Sequence, residues 1–180
     1  MNQNILTNKN FRFLSNWNPD QENGYTPKVV VVTAFLQKDD KILVLQRARN
    51  DEQHGLWGIP GGKLEDQELP LCGLIREIQE ETGLSVSSEA FVLLNTAISK
   101  TPCDGEYGLY LYHAFLSEDQ TVRINLQEHH AYRWVTLSEF QELDLLTAQR
   151  EAFLFAKENL QKIMSSKSKE LNQGCLCTIM

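Results

Sequence analysis

The sequence lacks the cysteine pairs and the long apolar runs that mark several classes of protein. Its four cysteines are Cys72, Cys103, Cys175 and Cys177. None forms a C-x-x-C pair, which argues against a zinc site or a disulfide framework and suits a reducing compartment. No run approaches the ~18 apolar residues of a transmembrane helix, and the first residues lack the apolar core of a signal peptide. We therefore expect a cytoplasmic protein.

Basic residues are also scarce, because 17 lysines and arginines face 24 aspartates and glutamates, for a net charge of −7. Proteins that bind nucleic-acid polymers need basic surface, so we expect no such partner. The length of 180 residues and the hydrophobic content of 42% suit one globular domain with short extensions.

The most informative stretch begins at Gly61 and ends at Leu84. Pro60 and the paired glycines that follow it indicate a loop. Pro70 suits the first position of a helix, where its missing N–H has no partner to lose. Gly83 suits the left-handed position at which a helix stops. We therefore predict a loop followed by a helix over residues 70–82.

This predicted helix has an apolar face and an acidic face. Four apolar residues share an arc of about 100°: Leu71, Leu74, Ile75 and Ile78. Three carboxylates fill the neighbouring arc: Glu77, Glu80 and Glu81. Like charges at these spacings weaken a helix by a few tenths of a kcal/mol per pair, which a bound divalent cation would offset. The alternative is a solvated acidic face. The loop before the helix, the arginine beside the glutamates and the glycine that ends the helix favour a cation-binding site instead.

The fixed residues from Gly62 to Leu84 follow the spacing G-x5-E-x7-R-E-U-x-E-E-x-G-U, where U is aliphatic. This spacing resembles the Nudix box, the signature of hydrolases that act on nucleoside diphosphates linked to another moiety. The flanking strand pattern extends the resemblance to about residues 28–145. The resemblance implies an α/β/α sandwich, with the motif helix packed on the sheet and its loop at the edge of the sheet.

The same resemblance implies roles for individual residues. Glu80 and Glu81 would be the main ligands of Mg²⁺ or Mn²⁺, and Glu77 a further ligand or the catalytic base. Arg76 would hold the glutamates in orientation. The carbonyl oxygen of Gly61 would complete the coordination.

Three further candidates lie outside the motif. Glu128, six residues before Trp134, stands where Nudix relatives carry a downstream carboxylate that contacts metal or water. Arg47 and Arg49 are candidate phosphate contacts, since guanidinium groups match phosphate oxygens. The alternative for the arginines is a solvent-exposed pair at the end of a strand.

The chain pattern predicts an α+β fold with a mixed sheet. We predict strands at about residues 29–36, 42–45, 91–98, 106–116, 122–126 and 131–136. A capping-box pattern at Thr136 opens a short helix, and a longer one covers residues 147–164. The domain organisation would be an irregular arm over residues 1–27, the Nudix domain over 28–164 and a flexible tail over 165–180.

The adjacent His129 and His130 would point apart in a strand. We expect surface histidines, with a place in the pocket as the alternative for one of them.

The sequence leaves alternatives for the function. Residues 56–65, LWGIPGGKLE, look most like the MutT-type branch, which includes enzymes that convert nucleoside triphosphates to NMP and pyrophosphate. An ADP-ribose, NDP-sugar or dinucleotide hydrolase is the alternative, since relatives of the ADP-ribose type carry a proline near the position of Pro102. A nucleotide-sensing module on the same fold is a third reading. The intact box disfavours it, because such modules usually lose carboxylates of the box.

The last four residues fit a C-a-a-X prenylation pattern, with Cys177 fourth from the end and Met180 terminal. Cys175 is a candidate for a second lipid, and one chain alone gives only marginal membrane binding. The hypothesis places the protein, in a eukaryotic cell, at a membrane surface or on a prenyl-binding chaperone. Chance occurrence of the four residues is the alternative.

Overall fold

The structure of the protein, a computed structural model, describes residues 5–8, 11–15, 27–48, 53–101, 105–116 and 120–174. Within these residues there are nine strands and three α-helices. The strands are β1 Ile5–Asn8, β2 Phe11–Ser15, β3 Val30–Lys38, β4 Lys41–Arg47, β5 Trp57–Gly58, β6 Gly61–Lys63, β7 Phe91–Thr101, β8 Gly105–Phe115 and β9 His129–Val135. The helices are α1 Pro70–Thr82, α2 Leu137–Glu142 and α3 Thr147–Gly174.

The strands form one mixed sheet. Its order is β1-β2-β7-β8-β3-β4-β5, with β6 also paired to β3 and β9 to β4. The central pair, β3 and β8, is parallel, and the other strand pairs are antiparallel. The expected mixed sheet is therefore confirmed.

One face of the sheet is covered by α2 and α3. Three fully buried phenylalanines meet there, Phe35 from β3, Phe140 from α2 and Phe153 from α3. The ring centroids of Phe35 and Phe140 are 6.0 Å apart, and those of Phe140 and Phe153 are 5.1 Å apart. Aromatic pairs at these separations add to the energy of burial.

The opposite face is covered by α1. Leu74 and Ile78 of α1 pack with Val32, Leu36 and Leu43 from β3 and β4. Because helices cover both faces, the central strand β3 is buried on both sides, which accounts for its continuous apolar run. The predicted α/β/α sandwich, with the motif helix on the sheet, is what the structure shows.

Helix α1 begins and ends where its proline and glycine predict. Pro70 is its first residue, and Gly83 follows it with φ 67° and ψ 6°. The N–H of Gly83 donates to the carbonyl of Gln79 at 2.9 Å, which satisfies one of the last carbonyls of the helix. The short helix α2 also begins as predicted, since Thr136 and Glu139 form the reciprocal bonds of a capping box.

The strand predicted at residues 122–126 is wrong. The backbone N–H of Arg123 donates to the carbonyl of Thr82 at 2.8 Å, and that of Asn125 to the carbonyl of Glu81 at 3.0 Å. These are carbonyls at the end of α1, which have no partner within the helix. The segment therefore serves as a partner for a helix end instead of joining the sheet.

Both ends of the chain are more regular than expected. Part of the predicted irregular arm forms β1 and β2, and β2 pairs with β7. Helix α3 continues past residue 164 to Gly174, so the first ten residues of the predicted tail are helical. Those residues are polar but include no proline, and polarity alone does not end a helix.

Cys175 and Cys177 lie outside the described residues, so their lipidation stays a prediction. In the part of the chain that the structure describes, no helix combines the length and the apolar character that a membrane crossing requires.

Candidate active site

The loop before α1 is tied to the centre of the sheet. The N–H of Ala34 in β3 donates to the carbonyl of Pro60 at 3.0 Å, and β6 pairs with β3 so that Gly62 lies opposite Val32. A Cβ atom at Gly62 would overlap the carboxylate of Glu77. Glycine at this position therefore lets the loop lie directly against the acidic face of α1.

Arg76 connects three carboxylates. Its Nε and Nη2 donate to the two oxygens of Glu68 at 2.9 and 2.8 Å. Its Nη1 donates to Glu77 at 2.9 Å and to Glu80 at 3.2 Å. A further bond from Nη2 reaches the carbonyl of Lys63 at 3.2 Å. The guanidinium thus holds the loop and the acidic face of α1 together, and its role in orienting metal ligands stays a prediction.

The pKa values of these carboxyls move in opposite directions. The hydrogen bond from Arg76, helped by the N–H of Glu65, lowers the pKa of Glu68 to about 2. Burial raises the pKa of Glu77; Arg76 opposes this effect, and the charges of Glu81 and Glu80 reinforce it. Burial therefore disfavours the ionised form of Glu77 more than Arg76 favours it.

The adjacent Glu80 and Glu81 occupy different environments. The side chain of Glu80 is 54% exposed, whereas Glu81 is only 3% exposed. Both oxygens of Glu81 are engaged: the N–H of Gly61 donates to Oε2 at 2.8 Å, and Nε2 of His129 lies 2.8 Å from Oε1. Glu81 is thus fixed between the loop and the start of β9.

Residues 122–129, which we call the 122–129 segment, bring Glu128 to the same place. Asn125 donates its side-chain N–H to Glu128 Oε1 at 2.7 Å and accepts from the backbone of Gln127 at 3.1 Å. One carboxylate oxygen of Glu81, one of Glu128 and a ring nitrogen of His129 all lie within 4.8 Å of one another. The structure therefore brings Glu128 next to the carboxylate of Glu81 at the end of α1.

A family model for the NUDIX domain matches residues 26–156. The chain belongs to the NUDIX domain family. It is an enzyme of the Nudix hydrolase class.

Curated and solved relatives cover most of this Nudix hydrolase. The chain is 31% identical to the CTP pyrophosphohydrolase of Escherichia coli K12 over 129 residues, covering 70% of this chain and 91% of the relative. It is 30% identical to the RNA pyrophosphohydrolase of Zymomonas mobilis, covering 76% and 92%. It matches the solution structure of the E. coli ORF135 protein with a TM-score of 0.61 at 26% identity, covering 76% and 92%.

The two candidate phosphate contacts have different outcomes. Arg47 is half-buried at the end of β4, and its carbonyl accepts from the N–H of Gly55 at 3.1 Å. Arg49 lies outside the described residues. Phosphate binding by either arginine stays a prediction, as does coordination by the carbonyl of Gly61.

The expectation that both histidines lie at the surface is wrong for His129. The two do point apart, because His130 is exposed and its Nδ1 lies 2.9 Å from the carbonyl of Arg47. His129 is instead 4% exposed and faces Glu81. The pairing of β4 with β9 shifts register between Gln46 and Arg47. A bulge of this kind re-aims a side chain and leaves no signal in the sequence pattern.

The donors at this site fit a hard divalent cation. Glu77 and Glu80 are both bonded to Arg76 Nη1, and Glu81 lies beside Glu128 and His129. Mg²⁺ and Mn²⁺ prefer carboxylate oxygens. Burial raises the pKa of Glu77, and the charges of Glu81 and Glu80 add to this, so a bound cation would favour its ionised form. The residues of this Nudix domain therefore fit the metal that the family resemblance implies.

Acid should weaken the protein in part through Glu68. Its pKa is lowered from 4.5 to about 2 by folding, so its contribution to stability is present above 4.5 and is lost as the pH falls toward 2. We expect the wild type to lose more unfolding free energy than Glu68→Gln between about pH 5 and about pH 3. Urea titrations at the two pH values measure this difference. The control is Glu65→Gln, which changes an exposed carboxylate nearby. This variant should lose as much unfolding free energy as the wild type. Equal losses of unfolding free energy in the wild type and in Glu68→Gln would contradict the lowered pKa of Glu68.

Proposed function

We propose that this Nudix hydrolase is a pyrophosphohydrolase that depends on Mg²⁺ or Mn²⁺ and cleaves a nucleoside triphosphate to NMP and pyrophosphate. The observation that supports it is the set of carboxylates around Glu81, held by Arg76, Gly61 and the 122–129 segment. The similarity to a relative named CTP pyrophosphohydrolase supports a triphosphate as the substrate.

Cleavage of a phosphoanhydride needs charge neutralisation on the phosphates and a positioned water. Glu77, Glu80 and Glu81 would hold the cation, which supplies positive charge against the phosphate oxygens. Arg76 bonds to both Glu77 and Glu80 and so holds these two carboxylates next to each other. Among the described residues, these are the groups that prepare the site for an anionic substrate.

Glu128 is the group we assign to the water. It is exposed, and the bond from Asn125 engages one of its carboxylate oxygens. The other oxygen can accept a hydrogen bond from a water and take its proton, as a general base does. We assign Arg47 to a phosphate oxygen of the substrate, since a guanidinium donates to such oxygens at fixed angles.

The main alternative is a different substrate, with a different leaving group, that is cleaved at the same site. An ADP-ribose, NDP-sugar or dinucleotide substrate would use the same carboxylates on the same type of bond. A nucleotide-sensing module would need no intact set of carboxylates, so the presence of all four disfavours it. The net charge of −7 disfavours a long nucleic-acid substrate.

A panel of nucleotides tests the proposal. The purified chain is incubated with each NTP, ADP-ribose, an NDP-sugar and a dinucleoside polyphosphate, with Mg²⁺, with Mn²⁺ or with a chelator. We expect NMP and pyrophosphate from at least one NTP, and no product with the chelator. Glu80→Gln serves as the inactive control, because it removes one carboxylate from the site. Turnover of ADP-ribose but of no NTP would replace the proposal with its alternative, and no turnover of any substrate would favour the sensor.

A further inference from the structure

His129 and Glu81 form a buried pair whose partners come from distant parts of the chain. His129 Nε2 lies 2.8 Å from Glu81 Oε1, and the two residues are 4% and 3% exposed. An ionised carboxylate can only accept a hydrogen bond, so Nε2 carries the proton and donates it. This assignment leaves Nδ1 as the nitrogen with a free lone pair.

The second ring nitrogen has no competing contact. His129 Nδ1 is buried and has no hydrogen-bond partner among the described residues. A buried polar atom without a partner costs free energy, and an aliphatic side chain of similar bulk would avoid that cost. Such a side chain would leave Glu81 Oε1 without its donor, so the contact that accounts for a histidine here is its hydrogen bond to Glu81.

The backbone that carries the ring is bonded to the end of α1, next to Glu81. The N–H of His129 donates to the carbonyl of Asn125 at 2.9 Å, and the N–H of Asn125 donates to the carbonyl of Glu81 at 3.0 Å. The 122–129 segment is thus bound to the end of the helix that carries Glu81. With Gly61 donating to the other oxygen at 2.8 Å, Glu81 has one fixed donor on each oxygen.

We propose that His129 is a positioning residue, which fixes the carboxylate of Glu81 in the orientation that a divalent cation requires. Each oxygen of Glu81 accepts one bond and keeps a second lone pair for the cation. In this role His129 would act through its hydrogen bond to Glu81 and would not itself bind the cation. The inference rests on the proposed function only in that Glu81 is taken as a metal ligand, since it needs no particular nucleotide.

Two substitutions separate the hydrogen bond from the bulk of the ring. His129→Gln retains an N–H donor that can reach the place of Nε2, whereas His129→Leu retains comparable bulk without a donor. Groups that orient metal ligands typically contribute about 10–100-fold to metal affinity, so we expect Mn²⁺ affinity to fall by that factor in His129→Leu and to stay within about threefold of wild type in His129→Gln. Electron paramagnetic resonance of free Mn²⁺, without nucleotide, measures the affinity.

The adjacent exposed histidine provides the control, since His130→Leu should bind Mn²⁺ like the wild type. If His129→Leu fails to fold, His129→Asn replaces it. Its shorter amide does not reach the place of Nε2, and Mn²⁺ affinity should fall in Asn but not in Gln. Equal affinity in the Gln variant and in the Leu or Asn variant would overturn the inference, as would a wild type that binds no Mn²⁺. Because no nucleotide is present, failure of the wild type to hydrolyse any NTP would sink the proposed function and leave this result standing.

Discussion

Glu81→Gln is expected to lose hydrolysis and also to lower the stability of the metal-free protein, whereas Glu80→Gln should lose only hydrolysis. Each substitution removes one carboxylate charge from the proposed metal site. Metal ions contribute several kcal/mol to such reactions, so we expect turnover to fall at least about 100-fold in both. The difference between the variants comes from their surroundings.

Glu81 accepts from Gly61 on one oxygen and from His129 on the other. Glutamine offers one acceptor and one donor, so one of these N–H groups would face an NH₂ group. Loss of a buried hydrogen bond to a charged group costs about 1.5–3 kcal/mol. Glu80 is 54% exposed, so its ion pair with Arg76 contributes little to stability, and its removal relieves repulsion with the neighbouring glutamates. Its variant should be as stable as the wild type.

Pyrophosphate release at saturating Mg²⁺ and urea titration of the metal-free proteins measure the two effects. Glu142→Gln, which changes a carboxylate on α2, serves as the control and should match the wild type in both measurements. Turnover like the wild type in either site variant would refute the metal assignment. Equal stability of Glu80→Gln and Glu81→Gln would contradict the claim that the buried hydrogen bonds of Glu81 stabilise the fold and the contacts of exposed Glu80 do not.

Arg76→Met should have the second-largest effect. Arg76 donates to Glu68, Glu77 and Glu80, and its loss leaves three carboxylates close together without a cation. Residues that orient metal ligands contribute about 10–100-fold to activity, and we expect a loss in that range. Arg76→Lys should recover little of the lost activity. An ammonium cannot form the two-bond contact with Glu68 while also reaching Glu77 and Glu80.

Steady-state hydrolysis at several Mg²⁺ concentrations measures the loss in Arg76→Met. The metal-free variant should also unfold at lower urea, by about 1–3 kcal/mol, with part of this recovered by Mn²⁺. Arg150→Met is the matched control, because Arg150 lies outside the site and its Nη2 donates to the carbonyl of Leu143. Full activity in Arg76→Met would show that the carboxylates need no orienting cation.

The motif helix and its acidic face were predictable from the sequence because their determinants are local. Pro70 and Gly83 set the ends of α1, and Thr136 sets the start of α2 through contacts within three residues. The spacing of the glutamates placed them on one side of the helix. The continuous apolar run of β3 predicted a strand covered on both faces.

The remaining features depend on contacts between distant residues. Strand β2 was not predicted because its partner, β7, lies more than eighty positions later. Residues 122–126 have the composition of a strand, but carbonyls at the end of α1 accept the N–H groups of Arg123 and Asn125. The burial of His129 follows from a register shift between β4 and β9, which no local pattern reports. In the sequence, Glu81 is indistinguishable from Glu80, because its burial depends on contacts with Gly61 and His129, which are distant in the chain.

The parallel pair at the centre of the sheet bears on how the protein folds. Val30 pairs with Gly108, so β3 and β8 close a loop of more than seventy residues that contains α1. Closing long loops lowers chain entropy before the strand contacts form, and such topologies fold slowly. Arg76 and Glu68 are only eight positions apart and need no such closure. We therefore expect the loop and helix to acquire structure early in refolding, while β8 docks late and sets the observed rate.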